Sequence, residues 1–354
     1  MFTFDKKAQL TRDAVGESLG GAFQTHDGRT VDSTGAFFVG ELERLDQTLN
    51  LPLVDITWSR DIDLRQDVTI ADEYTSFTNS TVASNGGLGT GNSVGNGKAW
   101  MGRNSTQIAG VGVDISKTPN PLNVWGLEVK YDILELAAAA RIGRPIDSQK
   151  VDAMELKRQM DIDEQVYIGD QSLNIGGLYN SAAVTTVTNL PAGASGFTQW
   201  ALKNPDEILA DLTLAMTSVW KASGYSIRPN RILLPPAQFA QICMQKVATQ
   251  AGLVSVRNYV EQNNLMTSNG GGKLTIDYCK WGVGAGAGGT FQVPGTVDRM
   301  VVYTKDYKRL RFPLTLVQRT PVQYQGLYHL TYFYHKMGGV EMPYSNTVGY
   351  FDGL

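Results

Sequence analysis

The chain of 354 residues carries three histidines (His26, His329, His335) and two cysteines (Cys243, Cys279), which leaves little for metal or thiol chemistry to draw on. A structural zinc site asks for four nitrogen or sulfur ligands at short spacings. His329 and His335 lie six residues apart, so they share one face of an uninterrupted strand, with Tyr332, Phe333 and Tyr334 between them. That points to an aromatic β surface rather than a metal pair. Cys243 falls in an expected helix and Cys279 in an expected strand, and neither has a CxxC partner. Both are expected as free, semi-buried thiols of a reducing cytoplasm. Two carboxylate groupings remain, Asp61/Asp63 and Asp161/Asp163/Glu164. Acid–base work needs a partner within hydrogen-bond reach, and neither grouping has a basic or nucleophilic residue suggesting one. Asp61/Asp63 are expected on an exposed strand face, Asp161/Asp163/Glu164 on the charged flank of a long helix. No GxSxG, HExxH or nucleophile–base spacing occurs. The expectation is a chain with no catalytic residues, no metal and no cofactor.

Two glycine-rich tracts test for phosphate binding. Gly284-Ala285-Gly286-Ala287-Gly288-Gly289 matches GxGxxG and follows an expected strand. Dinucleotide binding needs a helix N-terminus directly after the glycines. Here Thr290-Phe291-Gln292-Val293-Pro294 comes next, an extended, proline-broken run, so a loop is expected; a nucleotide-binding enzyme using residues 284–289 stands as the alternative from another class. The tract around Gly97-Lys98 lacks the first glycine and the Ser/Thr of a phosphate loop, having Asn92 and Ala99 there.

Any site would have to be positioned by elements that the hydrophobic pattern outlines. Residues 1–35 are polar and glycine-punctuated, an arm with little core of its own, and Phe38, Leu42, Leu45 and Leu49 then keep helical spacing. Residues 53–58, 67–71 and 74–82 read as extended. A glycine/asparagine tract at 84–97 separates the last of these from a second extended run through Trp100, Ile108, Val111, Val113 and Ile115. Together they describe a long β-hairpin, which cannot bury a face by itself and must lie on something else, most economically another subunit. A helix is expected over 148–168, with Val151, Met154, Ile162 and Val166 on one face, Leu156 and Met160 opposite, and Gly169 as its cap. An α/β unit is expected near 200–295, its first helix opened by Asn204-Pro205-Asp206-Glu207 and striped with Leu209, Leu212, Met216 and Trp220. From Arg299 the pattern is largely β, over 300–303, 311–317 and 325–335.

Composition excludes other classes. Only 18% of residues are charged and 42% are hydrophobic, which is not the profile of a disordered chain. The opening residues lack the apolar run of a signal peptide, and no stretch approaches the roughly 18 apolar residues of a membrane span. The net charge of −3 hides a polarity: residues 1–75 hold 7 Lys+Arg and 14 Asp+Glu, whereas residues 299–319 hold six basic residues and one acid. These segments are expected to attract each other, within a chain or between neighbours.

The order of parts, together with Asp163-Glu164-Gln165-Val166-Tyr167-Ile168-Gly169 leading into Gly176-Gly177-Leu178-Tyr179-Asn180, resembles the major capsid proteins of tailed bacteriophages. The resemblance implies an α+β chain of the Hong Kong 97-type capsid fold. Residues 1–52 would be the N-terminal arm, 53–120 the extended loop with its flanking strands, and 121–194 the peripheral domain with its spine helix at 148–168. Residues 195–295 would form the axial domain and 296–354 the strands returning to the peripheral domain. It implies a structural protein that self-assembles as pentamers and hexamers into an icosahedral head enclosing double-stranded DNA, in a virion built in the host bacterial cytoplasm. Its partners would be copies of itself, a separate scaffolding protein, a portal and a decoration protein. An encapsulin-type nanocompartment shell shares the fold and is the nearest alternative. Candidate subunit-contact residues are Lys98, Trp100 and Arg103 near the hairpin tip and Arg309 and Arg311 in the basic segment. Some relatives crosslink a loop lysine to an asparagine; Lys98 and Asn346 occupy comparable places, and nothing in the sequence pairs them.

Overall fold

The computed structural model describes residues 52–84, 111–142, 146–249, 252–264, 272–286 and 297–354. The chain divides into two units, Met1–Pro52 and Leu53–Leu354, and the described helices and strands all belong to the second. The arm, the hairpin's glycine-rich tip, and Lys98, Trp100 and Arg103 lie outside the described residues.

A short helix α1 (Trp58–Asp61) and strand β1 (Asp63–Arg65) open the unit. Strands β2 (Tyr74–Ser84) and β3 (Val111–Pro121) form the expected hairpin, β4 (Asn123–Asp132) runs on from it, and helices α2 (Ile133–Ile142) and α3 (Ile146–Tyr167) come next. Short strands β5 (Gly169–Asp170) and β6 (Ile175–Gly176) pair, and β7 (Thr186–Asn189) leads to helix α4 (Pro205–Ala222). Then come β8 (Arg231–Leu234), α5 (Pro236–Met244), β9 (Lys246–Thr249), β10 (Gly252–Ser255), α6 (Val256–Gln262) and β11 (Thr275–Tyr278). The chain closes with β12 (Arg299–Tyr303), β13 (Arg311–Pro313), β14 (Gln318–Arg319), β15 (Gln323–Gln325), β16 (Tyr328–Met337) and β17 (Val348–Asp352). None of the described helices is long and apolar enough to cross a membrane.

A five-stranded sheet, ordered β11-β8-β12-β17-β7, is the structural centre. Side chains alternate across a strand, and here both faces are covered. Ile232, Leu234, Met300, Val302 and Phe351 join one core with Leu212, Ala215 and Val219 of α4 and Val256 and Val260 of α6. Their alternates Leu233, Val301, Tyr303 and Tyr350 join a second core with Ile162, Val166 and Tyr167 of α3. The sheet takes β8 and β11 from before residue 295 and β12 and β17 from after it, so the expected boundary between 195–295 and 296–354 runs through it. A second sheet joins β4 to β16 over ten residue pairs, with β14 and β15 on the far side of β16.

Local signals predict local structure well. Helix α3 spans Ile146–Tyr167 against the expected 148–168, with Met154, Ile162 and Val166 buried, Leu156 and Met160 half-buried, and Val151 exposed. At α4, the backbone N–H of Asn204 donates to the Glu207 carboxylate at 2.9 Å, closing the expected capping box. Leu212 and Met216 of the expected stripe are buried, joined by Ile208, Ala215 and Val219, whereas Leu209 and Trp220 are half-buried. Three extended readings are corrected. Residues 53–57 form no strand, and Trp58 begins a helix. Residues 67–71 are a turn, because Asp72 accepts both the backbone N–H and the hydroxyl of Thr69 and so offers the backbone an alternative to a ladder. The 311–317 strand ends at Pro313, and Leu316 is exposed.

Candidate assembly surfaces

Two of the carboxylates expected at the surface, Asp61 and Asp163, are instead at the centre of a buried polar junction, while Glu164 is exposed as expected. Asp61 and Asp163 are both fully buried. Asp61 faces Arg60 at 2.8 Å and Arg231 at 3.4 Å, and it accepts the hydroxyl of Tyr167. Tyr303 donates its hydroxyl to the Asp61 carbonyl at 2.8 Å. Asp163 accepts the backbone N–H groups of Thr57 and Trp58 and the indole N–H of Trp281, with Lys280 at 3.3 Å. Burial first, then Cys279 and Asp61 beside it, pushes the Tyr167 phenol far above its ordinary range. Burial likewise drives the Cys279 thiol up to about 12, so it stays a neutral packing group. The junction therefore ties α1, α3 and the five-stranded sheet together through ion pairs and hydrogen bonds. Cys279 is buried and Cys243 exposed, where both were expected half-buried. Among the described residues no His/Cys/Asp/Glu cluster could hold a metal.

Residues 284–286 of the glycine loop have a structural explanation, and 287–289 lie outside the described residues. Gly284 donates its N–H to the Asp298 carboxylate at 2.9 Å, and Gly286 donates to the Val297 carbonyl at 2.8 Å. A Cβ on Gly286 would lie 2.7 Å from that carbonyl. A carboxylate already occupies the amide a phosphate would need, and it would repel one.

The acidic and basic segments meet inside the chain. Strand β1 pairs in parallel with β13 and Lys305 lies 3.5 Å from Asp63, whereas Arg299, also basic, grips Asp352 outside the acidic segment through two nitrogens at 2.7 and 2.9 Å. Arg311 donates to the fully buried Glu341 at 2.6 Å, which Arg65 also reaches at 3.0 Å, so Arg311 serves the fold. Among the described residues Arg309 pairs with nearby Asp306, at 2.9 Å, and it remains partly exposed.

The hairpin is the part without a partner. Its strands pair with each other over eleven positions, from Tyr74↔Pro121 to Ser84↔Val111, and neither joins another sheet among the described residues. At its root Thr75 is buried and Phe77 half-buried; further out, residues 78–80 and their partners 115–117 are exposed.

A family model described as "Major capsid protein" matches residues 97–354, more than two thirds of the chain. The chain belongs to the major capsid protein family. Its fold agrees with solved capsids. It is similar to the capsid of Myoviridae phage XM1 with a TM-score of 0.67 and 16% identity, over 89% of this chain and 98% of that one. It is also similar to the capsid of a native GTA particle (TM-score 0.55, 10% identity, 88% and 96% covered) and to Mycobacterium phage Adephagia (0.54, 10%, 89% and 96%). No curated protein sequence matches it significantly. This capsid protein has the α+β, Hong Kong 97-type fold; it is a structural component of a virion shell built from many copies, not an enzyme. Neither the nucleotide-enzyme nor the nanocompartment alternative is favoured.

Proposed function

We propose that this capsid protein closes, as pentamers and hexamers, into the icosahedral head of a tailed phage around double-stranded DNA. The observation that carries the proposal is the unsupported ribbon of β2 and β3. A two-stranded ribbon is marginal alone in water, so its exposed outer part gains cover when it lies over a neighbouring copy. Residues 1–52 serve as the arm and 195–295 as the core of the axial domain. Residues 121–194 with 296–354 supply the peripheral domain, although β12 and β17 also complete the central sheet. Lys98, Trp100, Arg103 and Arg309 make subunit contacts near the ribbon tip and on the basic segment. A scaffolding protein, a portal and a decoration protein act with the shell, and assembly takes place in the host cytoplasm. The net charge of −3 suits a wall that encloses DNA without gripping it, since phosphate contacts by many basic residues would hold it fast.

Negative-stain microscopy of the purified chain tests this, with shells, rings or capsomers expected. Joining Phe77 to Thr118 through a short Asn-Gly turn should abolish shells and leave the folded body; a compact monomer from the intact chain at high concentration would overturn the proposal.

A further inference from the structure

A cavity of about 240 Å³ separates the root of the β2/β3 ribbon from the body of the chain. Backbone pairing sets Phe77 opposite Thr118 and Thr75 opposite Asn120. Side chains two apart on a strand share a face, as do those directly opposite across a pair, so these residues lie on one side of the ribbon. Phe77, Thr118 and Asn120 line the cavity from that side. The facing wall is β6, the turn at 181–183 and the stretch at 339–342.

The body's wall is built before anything binds. A Cβ on Gly176 would sit 3.1 Å from Ser181 Cα, and one on Gly339 would sit 2.7 Å from Ile175 Cγ2, so these segments already touch. The Tyr350 hydroxyl, on the central sheet, accepts the N–H of Ser181 at 3.1 Å and donates to the Leu178 carbonyl at 2.8 Å, which ties the wall to that sheet. Asn174, which also lines the cavity, holds φ 53°, a left-handed conformation that asparagine tolerates.

The lining selects a class of ligand. None of the described residues around the cavity is charged. Ile175 and Met342 give it an apolar floor, each only 5% exposed. Thr118, Asn120 and Asn174 supply a hydroxyl and two amides, and none of these side chains hydrogen-bonds to another described residue. Thr75, on the same ribbon face, is buried, and its hydroxyl likewise has no partner among the described residues. A cavity of about 150 Å³ holds benzene, so this one has room for about ten non-hydrogen atoms. A charged molecule would be desolvated there without a counter-ion, at high cost.

We infer that the cavity at the ribbon root is a binding site for a small uncharged molecule that joins an aromatic ring to a hydrogen-bonding amide. The ring lies on the apolar floor and the amide meets the uncommitted side chains of Thr118, Asn120 and Asn174. Among the described residues the ribbon joins no other sheet, and a molecule seated here touches ribbon and body at once. Its binding is therefore coupled to the angle at which the ribbon leaves the body.

The test is equilibrium dialysis of the full chain against three probes of nearly equal size, 2-phenylacetamide, phenylacetate and 2-phenylethylammonium. One molecule of the amide per chain is expected, with a Kd of about 1 mM or tighter. Each charged analogue should bind at least about tenfold more weakly. Ala182→Trp fills the cavity from the 181–183 turn and should abolish amide binding, with the thermal midpoint near the parent's. Should that variant melt well below the parent, Asn120→Leu decides instead, with amide affinity falling at least about fivefold. Absence of amide binding, equal affinity for the three probes, or binding that both variants leave intact overturns the site.

Discussion

Asp163 Oδ1, on the long helix α3, accepts the backbone N–H of Thr57 at 2.9 Å across 106 residues of sequence. The same atom accepts Trp58 N–H at 3.1 Å, and Oδ2 takes the Trp281 indole at 2.7 Å. One carboxylate thus fixes where the segment entering α1 meets the spine helix. Asp163→Ala would orphan two amides and an indole in a dry site. We expect a loss of about 3–5 kcal/mol in denaturant unfolding, with Asp163→Asn losing less.

His335 is fully buried, stacks on Trp125 at 4.8 Å, and has no hydrogen-bond partner at either ring nitrogen among the described residues. Burial, then the charge of Arg158, lowers its pKa to about 4, against the opposing pull of the Lys336 backbone, Glu155 and Asp161. Between about 6.5 and 4 the unfolded chain takes up a proton that the folded chain refuses. Stability therefore falls as pH drops through that window, by up to about 3 kcal/mol. His335→Phe should flatten the slope and match or exceed the parent at neutral pH, measured as urea midpoints at pH 7 and 4.5.

Two glycines should behave oppositely. A Cβ on Gly177 would overlap the Tyr167 carbonyl and lie 2.6 Å from the Ile168 carbonyl carbon, all backbone that cannot move aside. Gly177→Ala is expected to cost more than about 3 kcal/mol. Gly224 ends α4 at φ 65° with nothing near its Cβ position, so Gly224→Ala should cost only about 1 kcal/mol. Thermal melts of both variants decide.

Charge reversal separates two arginines of the basic segment. Arg311→Glu would set a second carboxylate against buried Glu341 and should lower stability by about 3 kcal/mol. Arg309→Glu loses only a partly exposed pair with Asp306, so the isolated fold should change by less than about 1 kcal/mol. Its effect belongs in assembly yield and in how that yield varies with salt; unchanged assembly would remove Arg309 from the subunit contacts.

The elements legible in sequence were those whose cause is local. The capping box needs only Asn204 and Glu207, and the helix at 146–167 only its apolar spacing. The β2/β3 hairpin was readable from two extended runs around a glycine-rich tract. A misreading such as 67–71 arose where Thr69 and Asp72, three residues apart, close a turn that an extended pattern does not reveal.

What the sequence determined alone was the pairing of β2 with β3, the long helix α3 and the start of α4. Tertiary structure decided the environment of each charge. Asp61/Asp63 and Asp161/Asp163/Glu164 look alike as strings, yet Asp61 and Asp163 are sealed inside while Asp63 and Glu164 reach solvent. It also decided that β12 and β17 complete the central sheet. The physical reason is common to these cases. Burial and pairing are set by which distant segments arrive, and a residue's type and spacing do not carry that information.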